Sequence, residues 1–337
     1  MKNRHFMRLI AYTRVLLSVA MLSTYKSYAD EVDKVRAFDF HVKRVIGIVF
    51  DGDSSSFVSG SVDGTVAWWK TSAAKPEKTV VFDDKIIGFS HVANARLLGV
   101  TTTKGVEVWN ANDATQLSSK EIEASHAVFF GERNNLLIVL RSRGVKVLDW
   151  KTGEFTSEFE PVDLGNEFPG VYSTVTVSRD SKTAVLTYNN TLILYDLESG
   201  KQTQRIDSEV PFLRGYSNFR TQDHFCSSGY SPDGKKFAAA NDSGYIRVWS
   251  TASWEALYTV DCGHSVHAIA FSPDSQTIAV AYRGLQVVNV ATGKLVELVD
   301  AFDSREHYNS VAFSLSGENI AVGGSHGSIK VLTIKKR

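Results

Sequence analysis

Two cysteines and three histidines come closest to chemistry in this sequence: His224, Cys226, Cys262, His264 and His267, spaced His-x-Cys and Cys-x-His-x-x-His. Three outcomes are open to them. Two cysteines in an oxidising compartment form a disulfide. Two buried thiols stay unpaired and inert. Thiolate and imidazole together hold zinc or copper, although this spacing matches no established short zinc signature. Asp303, Glu306 and His307 form a second polar group, suited to a polar ligand or a cation, with a solvated loop as the plainer reading. A catalytic set is not recognised: His-Glu-x-x-His and phosphate-binding glycine loops are absent. The cofactor expectation is none.

The elements that must position these residues are short and repeated. Phe225–Ser250 holds three apolar runs separated by Ser231-Pro232-Asp233-Gly234 and Asn241-Asp242-Ser243-Gly244. Proline fixes φ and glycine admits φ > 0, so both tetrapeptides are turns. The runs are too short for helices and read as a three-stranded meander. Anchored on Trp249, the same unit recurs with Trp69, Trp109, Leu148, Tyr195, Val288 and Leu332 in the Trp place. The intervals of 40, 39, 47, 54, 39 and 44 residues lie near a propeller blade period. A fourth short strand follows six of the seven units, several after Thr-Gly or Ser-Gly turns. The seventh unit lacks one, and Val35–Phe40 is the unassigned β-like segment. It is expected to pair with Ser328–Ile334 and close the ring, which removes two raw sheet edges. The fold expectation is therefore all-β: a seven-bladed β-propeller of four-stranded blades, closed by the N-terminal strand. Glycines and aspartates at the turns serve that architecture.

The units resemble the WD-repeat β-propeller family: Phe-Ser-Pro-Asp-Gly-like, then Leu-Ala-Ser-Gly-like, Asp-Gly, and Val-x-Val-Trp-Asp-like. The resemblance covers residues 35–335. It departs in one respect, since no repeat has Trp followed by Asp; Lys70, Asn110, Asp149, Asp196, Ser250, Asn289 and Thr333 stand there. The buried His-Ser-Asp-Trp network of the family is complete in the first blade alone, with His41, Ser59 or Ser61, Asp63 and Trp69, while Gly263-His264 keeps the family dipeptide. The resemblance implies interaction rather than catalysis, with binding on the face where outermost strands connect to the next inner strand. Three of those connections are long: 160–172, 207–225 and 300–308. Long structureless connections are more often functional than accidental. Their aromatics and arginines suit a protein interface. They are Phe168 and Tyr172 in the first, then Phe212, Leu213, Arg214, Tyr216, Phe219 and Arg220, then Phe302, Arg305, His307 and Tyr308. Folding back to plug the channel is the competing role. The rival function is a propeller enzyme, a lactonase-like hydrolase with its site in the channel mouth.

Composition bounds the partners. The chain has 337 residues, 43% hydrophobic and 22% charged, as expected of a globular protein with a full core. Lys2, Arg4, Arg8 and Arg14 precede the apolar run Val15–Ser23 and the small-x-small sequence Ser27-Tyr28-Ala29, the grammar of a signal peptide over residues 1–29. The run is too short for a span, so residues 30–337 are expected as one periplasmic or secreted domain, monomeric on its own. Cleavage after Ala29 leaves 32 basic against 37 acidic residues. A mildly acidic surface lacks the footprint for nucleic acid or anionic lipid.

Overall fold

A computed structural model describes residues 32–52, 54–92, 96–130, 135–140, 144–159, 174–208, 225–299 and 306–334. They form seven four-stranded antiparallel sheets. The innermost strands, in blade order 1 to 7, are Val45–Phe50, Ile86–Val92, Ala124–Phe130, Thr174–Val177, Phe225–Tyr230, Ala268–Phe271 and Tyr308–Phe313. Each packs against the inner strands of both neighbouring blades, so the sheets stand in a closed ring around an axis.

Closure is made by the N-terminal strand. Val32–Asp39 lies antiparallel to Ser328–Ile334 as the outermost strand of blade 7, with Phe38 opposite Ile329 and Val32 opposite Ile334. It begins three residues before the expected Val35. A register shift between Val32 and Lys34 carries the strand on to meet the whole length of its partner.

The core consists of seven clusters, one at each blade–blade boundary. Alternation along a strand sends neighbouring residues to opposite faces, and in these blades both faces are buried. In Lys236–Asn241, Phe237 and Ala239 face blade 4, whereas Ala238 and Ala240 face blade 6. That is why the second strand of each blade reads as a near-continuous apolar run instead of alternating. Polar ties reinforce the boundaries: Trp68 Nε1 donates to Ala111 O at 2.5 Å, Lys120 Nζ to Gly153 O at 2.8 Å and Tyr258 Oη to Val290 O at 2.7 Å. Among the described residues no helix is long and apolar enough to cross a membrane.

Candidate functional site

The face of interest, here the upper face, carries the connections from each outermost strand to the next inner strand. Beneath these connections lie the turns joining the second and third strands. In three blades a turn glycine with positive φ fixes the connection above it. Gly327 (φ +95°) and Gly244 (φ +95°) leave no room for a Cβ, which would stand 2.0 Å from His41 O and 2.5 Å from His264 O respectively. Gly64 sits in the same way under Phe82. The inner strands are kinked as they leave this face. In blades 1, 2, 3, 5 and 7 the register shifts within the first three residues of the inner strand. Such bulges re-aim the side chains at a strand end.

Blade 1 holds the complete buried network, with Ser59 in the serine role. Trp69 Nε1 donates to Ser59 Oγ at 2.9 Å, and Ser59 Oγ meets His41 Nε2 at 2.8 Å. His41 Nδ1 meets Thr65 Oγ1 at 2.7 Å, and Thr65 Oγ1 donates to Asp63 Oδ1 at 2.5 Å. A neutral imidazole protonated on Nδ1 satisfies the whole chain of donors. Ser61 instead donates to Lys43 O at 3.0 Å. Burial would raise the Asp63 carboxyl, but hydrogen bonds from Thr65 and the Val42 amide outweigh it and hold the group below the usual carboxylate range. Burial drives His41 down to about 4, against the smaller upward pull of Asp63.

A histidine depressed in the folded state favours folding while it stays neutral. The unfolded chain takes up the proton first, so stability is full above the ordinary value of 6.5 and falls as pH drops from there towards 4. The loss should amount to about 3 kcal/mol. Urea titrations across that window should show it, and a His41→Gln variant should have a flatter profile.

His264 stands four residues before its inner strand, as His41 does, yet makes no equivalent network. The register places Val280 where blade 1 has Ser59, and Val288 where it has Trp69. With no hydroxyl and no indole N–H to meet, the ring lies exposed and stacks on Tyr282, centroids 5.0 Å apart and 7° from parallel.

The two cysteines are free thiols. Cys226 Sγ donates to Val266 O at 3.0 Å and to Ala240 O at 3.3 Å, and Cys262 lies in the cluster between blades 5 and 6. Burial pushes both up to about 12, with smaller contributions from Asp242 on Cys226 and Asp261 on Cys262. A thiol so raised is a poor nucleophile. Iodoacetamide at mildly alkaline pH should leave both unlabelled in the native protein and modify both after denaturation, and mass spectrometry reads the difference. Among the described residues no three His, Cys, Asp or Glu side chains converge as a metal site.

The ring partner of His267 comes from another blade. His267 Nε2 lies 3.2 Å from His307 Nδ1 across the boundary of blades 6 and 7, with ring centroids 5.3 Å apart. Glu306 is buried and committed to the turn between the second and third strands of its blade, accepting from the His326 amide at 2.8 Å and Ser325 Oγ at 3.1 Å. Gly323-Gly324-Ser325-His326-Gly327 spells the Gly-x-Ser-x-Gly pattern of a serine nucleophile. It lies on a turn between two strands, not on a strand-to-helix elbow. Ser325 Oγ and Glu306 both face Nδ1 of His326, so serine and acid do not flank the imidazole as a proton relay requires.

Of the expected partner-binding residues, His307 is at the mouth. Tyr308 is a correction: it is fully buried among Leu285, Ile320 and Val322, because as first residue of the inner strand it points into the boundary between blades 6 and 7. Phe168, Tyr172, Phe212, Leu213, Arg214, Tyr216, Phe219, Arg220, Phe302 and Arg305 lie outside the described residues, as do Asp303 and His224.

Comparison with known proteins agrees with the architecture. A family model described as "WD domain, G-beta repeat" matches residues 33–70, 218–250 and 254–284. A 66 kDa stress protein from Physarum polycephalum is 28% identical over 328 residues, covering 89% of this chain and 48% of that protein. The small ribosomal subunit protein RACK1 of Candida albicans is 31% identical over 108 residues, 30% of this chain and 34% of that one. Pre-mRNA-processing factor 19 of Oryza sativa subsp. japonica is 26% identical over 140 residues, 41% of this chain and 24% of that one. The chain thus spans half or less of the length of these relatives. With WD-repeat matches in three regions and seven four-stranded blades closed by the first strand, the chain is a seven-bladed β-propeller that carries WD40 repeats.

Proposed function

We propose that the propeller is an exported, non-enzymatic scaffold that holds a protein partner on its upper face. The observation that carries this reading is the construction of that face. Glycine turns fix the connections in place while the side chains they present differ from blade to blade, which is what a surface for selective recognition requires. The relatives named as a ribosomal subunit protein and a pre-mRNA-processing factor support a role in holding other molecules. The long connections 160–172, 207–225 and 300–308 would supply the aromatic and arginine anchors.

The test is a crosslinking pull-down from native extract. Wild type is compared with the Phe212/Arg214/Tyr216/Phe219 quadruple alanine variant and with Lys235→Ala on the opposite face. The scaffold reading expects a partner recovered by wild type and Lys235→Ala and lost from the quadruple variant. Equal recovery by all three counts against it. Export is read separately, by fractionation and by a mature N-terminus at Asp30.

A further inference from the structure

In blades 1, 2, 3 and 7 the residue immediately before the inner strand occupies one place, because the first residue of that strand pairs with the same position of the second strand: Val45 with Ser61, Ile86 with Thr102, Ala124 with Leu140 and Tyr308 with Gly324. These residues are Arg44, Lys85, Glu123 and His307; His267 of blade 6 stands two positions further along, since Ala268 pairs with Ala281 as Gly47 pairs with Gly60. In blades 1, 2 and 7 one hydrogen bond sets that place, from the turn amide below to the carbonyl of the residue: Val62 N to Arg44 O at 2.9 Å, Thr103 N to Lys85 O at 3.2 Å, Ser325 N to His307 O at 2.8 Å. Blades 6, 7, 1 and 2 are consecutive around the ring. His307, Arg44 and Lys85 therefore form one arc, and His267 of blade 6 joins it through its contact with His307.

Among the described residues, the other two histidines with polar contacts beside this arc have carboxylates from the chain itself. Asp63 Oδ2 stands 3.7 Å from His41 Nδ1, and Glu306 Oε2 stands 3.5 Å from His326 Nδ1. The ring partner of His267 is a second imidazole. Two imidazoles at hydrogen-bond distance share one proton comfortably and two poorly, unless an anion joins them. Burial lowers His267, the neighbouring His307 and Arg44 lower it further, and Asp242 in the blade 5 turn pulls the other way.

We propose that this arc receives a carboxylate side chain from an acidic segment of the partner protein, with Arg44 as the fixed cation and the His267–His307 pair taking up a proton as the carboxylate binds. The inference rests on the scaffold reading and adds the chemistry of the partner. Charge complementarity decides the class: four blades contribute cation or imidazole to one arc, and Glu306, the acid next to His307, is turned to Ser325 and His326. An anion at the pair stabilises its doubly protonated form, so binding and proton uptake are linked. Affinity should rise as pH falls, by up to about tenfold per pH unit for one coupled proton.

The experiment is fluorescence anisotropy of a labelled hexaglutamate peptide on the full chain between about pH 7.5 and about pH 5.5, with circular dichroism confirming the fold at each pH. The expected result is saturable binding that tightens on acidification. His267→Gln and His307→Gln should each lose the pH dependence, Arg44→Ala should weaken binding throughout, and Lys235→Ala should match wild type. Inorganic phosphate should compete only weakly, which separates an acidic segment from a free anion. Absence of binding at the acid end, a flat pH profile, or wild-type behaviour of Arg44→Ala and both glutamine variants would overturn the proposal. A partner captured by the upper face that is indifferent to pH and to these substitutions leaves the scaffold reading standing and defeats this one. Hexaglutamate binding with the expected slope, but no captured partner, does the reverse.

Discussion

Phe38→Ala should lower the free energy of unfolding by about 3–5 kcal/mol. Phe38 is 2% exposed although it lies on the outermost strand of its blade. Its ring meets Phe57 edge-on at 5.2 Å and Trp69 at 5.4 Å, both in blade 1. The strand that completes blade 7 thereby fills the boundary with blade 1, and truncation leaves a cavity at the seam. Val35, on the same strand and 46% exposed, is the comparison. Val35→Ala should change stability by no more than about 0.5 kcal/mol. Urea titrations of both variants check this, and equal midpoints would mean that the strand adds backbone pairing alone.

Gly327→Ala should cost about 2–4 kcal/mol, by two mechanisms that a second glycine separates. At Gly327 the backbone has φ +95°, and the new Cβ would be driven against the His41 carbonyl. Gly153 has φ +74° with nothing within 4 Å of its notional Cβ. Gly153→Ala therefore reports the backbone cost alone, about 1–2 kcal/mol. The difference between the two variants measures how tightly the turn of blade 7 is wedged beneath the connection to blade 1. Because that connection carries His41 and leads into Arg44, Gly327→Ala should also shift the histidine-dependent part of the pH–stability profile. Thermal melts at neutral and mildly acid pH read both effects.

The blades were legible because their signals are local. A Pro-Asp-Gly or Asp-Gly turn and an apolar run of six residues are each written in adjacent letters, and repetition in register made the ring readable. The closing strand was legible by elimination, though its first residues were not. Val32 and Lys34 are held by a partner about 300 residues away rather than by their own propensity. The site was less legible for the same reason. His264 carries the family dipeptide, but its role was decided by Val280 and Val288 on two other strands. Tyr308 was read with the rim because it ends a long connection, and the pleat turned it inward. His267 and His307 are 40 residues apart and stand at different positions of their repeats, so only the folded ring puts them side by side.

Closure by the first strand also orders events in time. A ribosome delivers Phe38 before any of the blades and Ile329 with the last strand of the ring, so the seam cannot form until all seven blades have been made. Until then Phe57 and Trp69 lack their covering ring, and the outer edge of the last sheet has no mate to hydrogen-bond. Bringing together segments so distant is slow, because the entropy of joining them is lost before any contact repays it. The nascent protein therefore passes through a long interval as an open crescent with two sticky ends, the stage at which a chaperone, or a second copy of the chain, would find it.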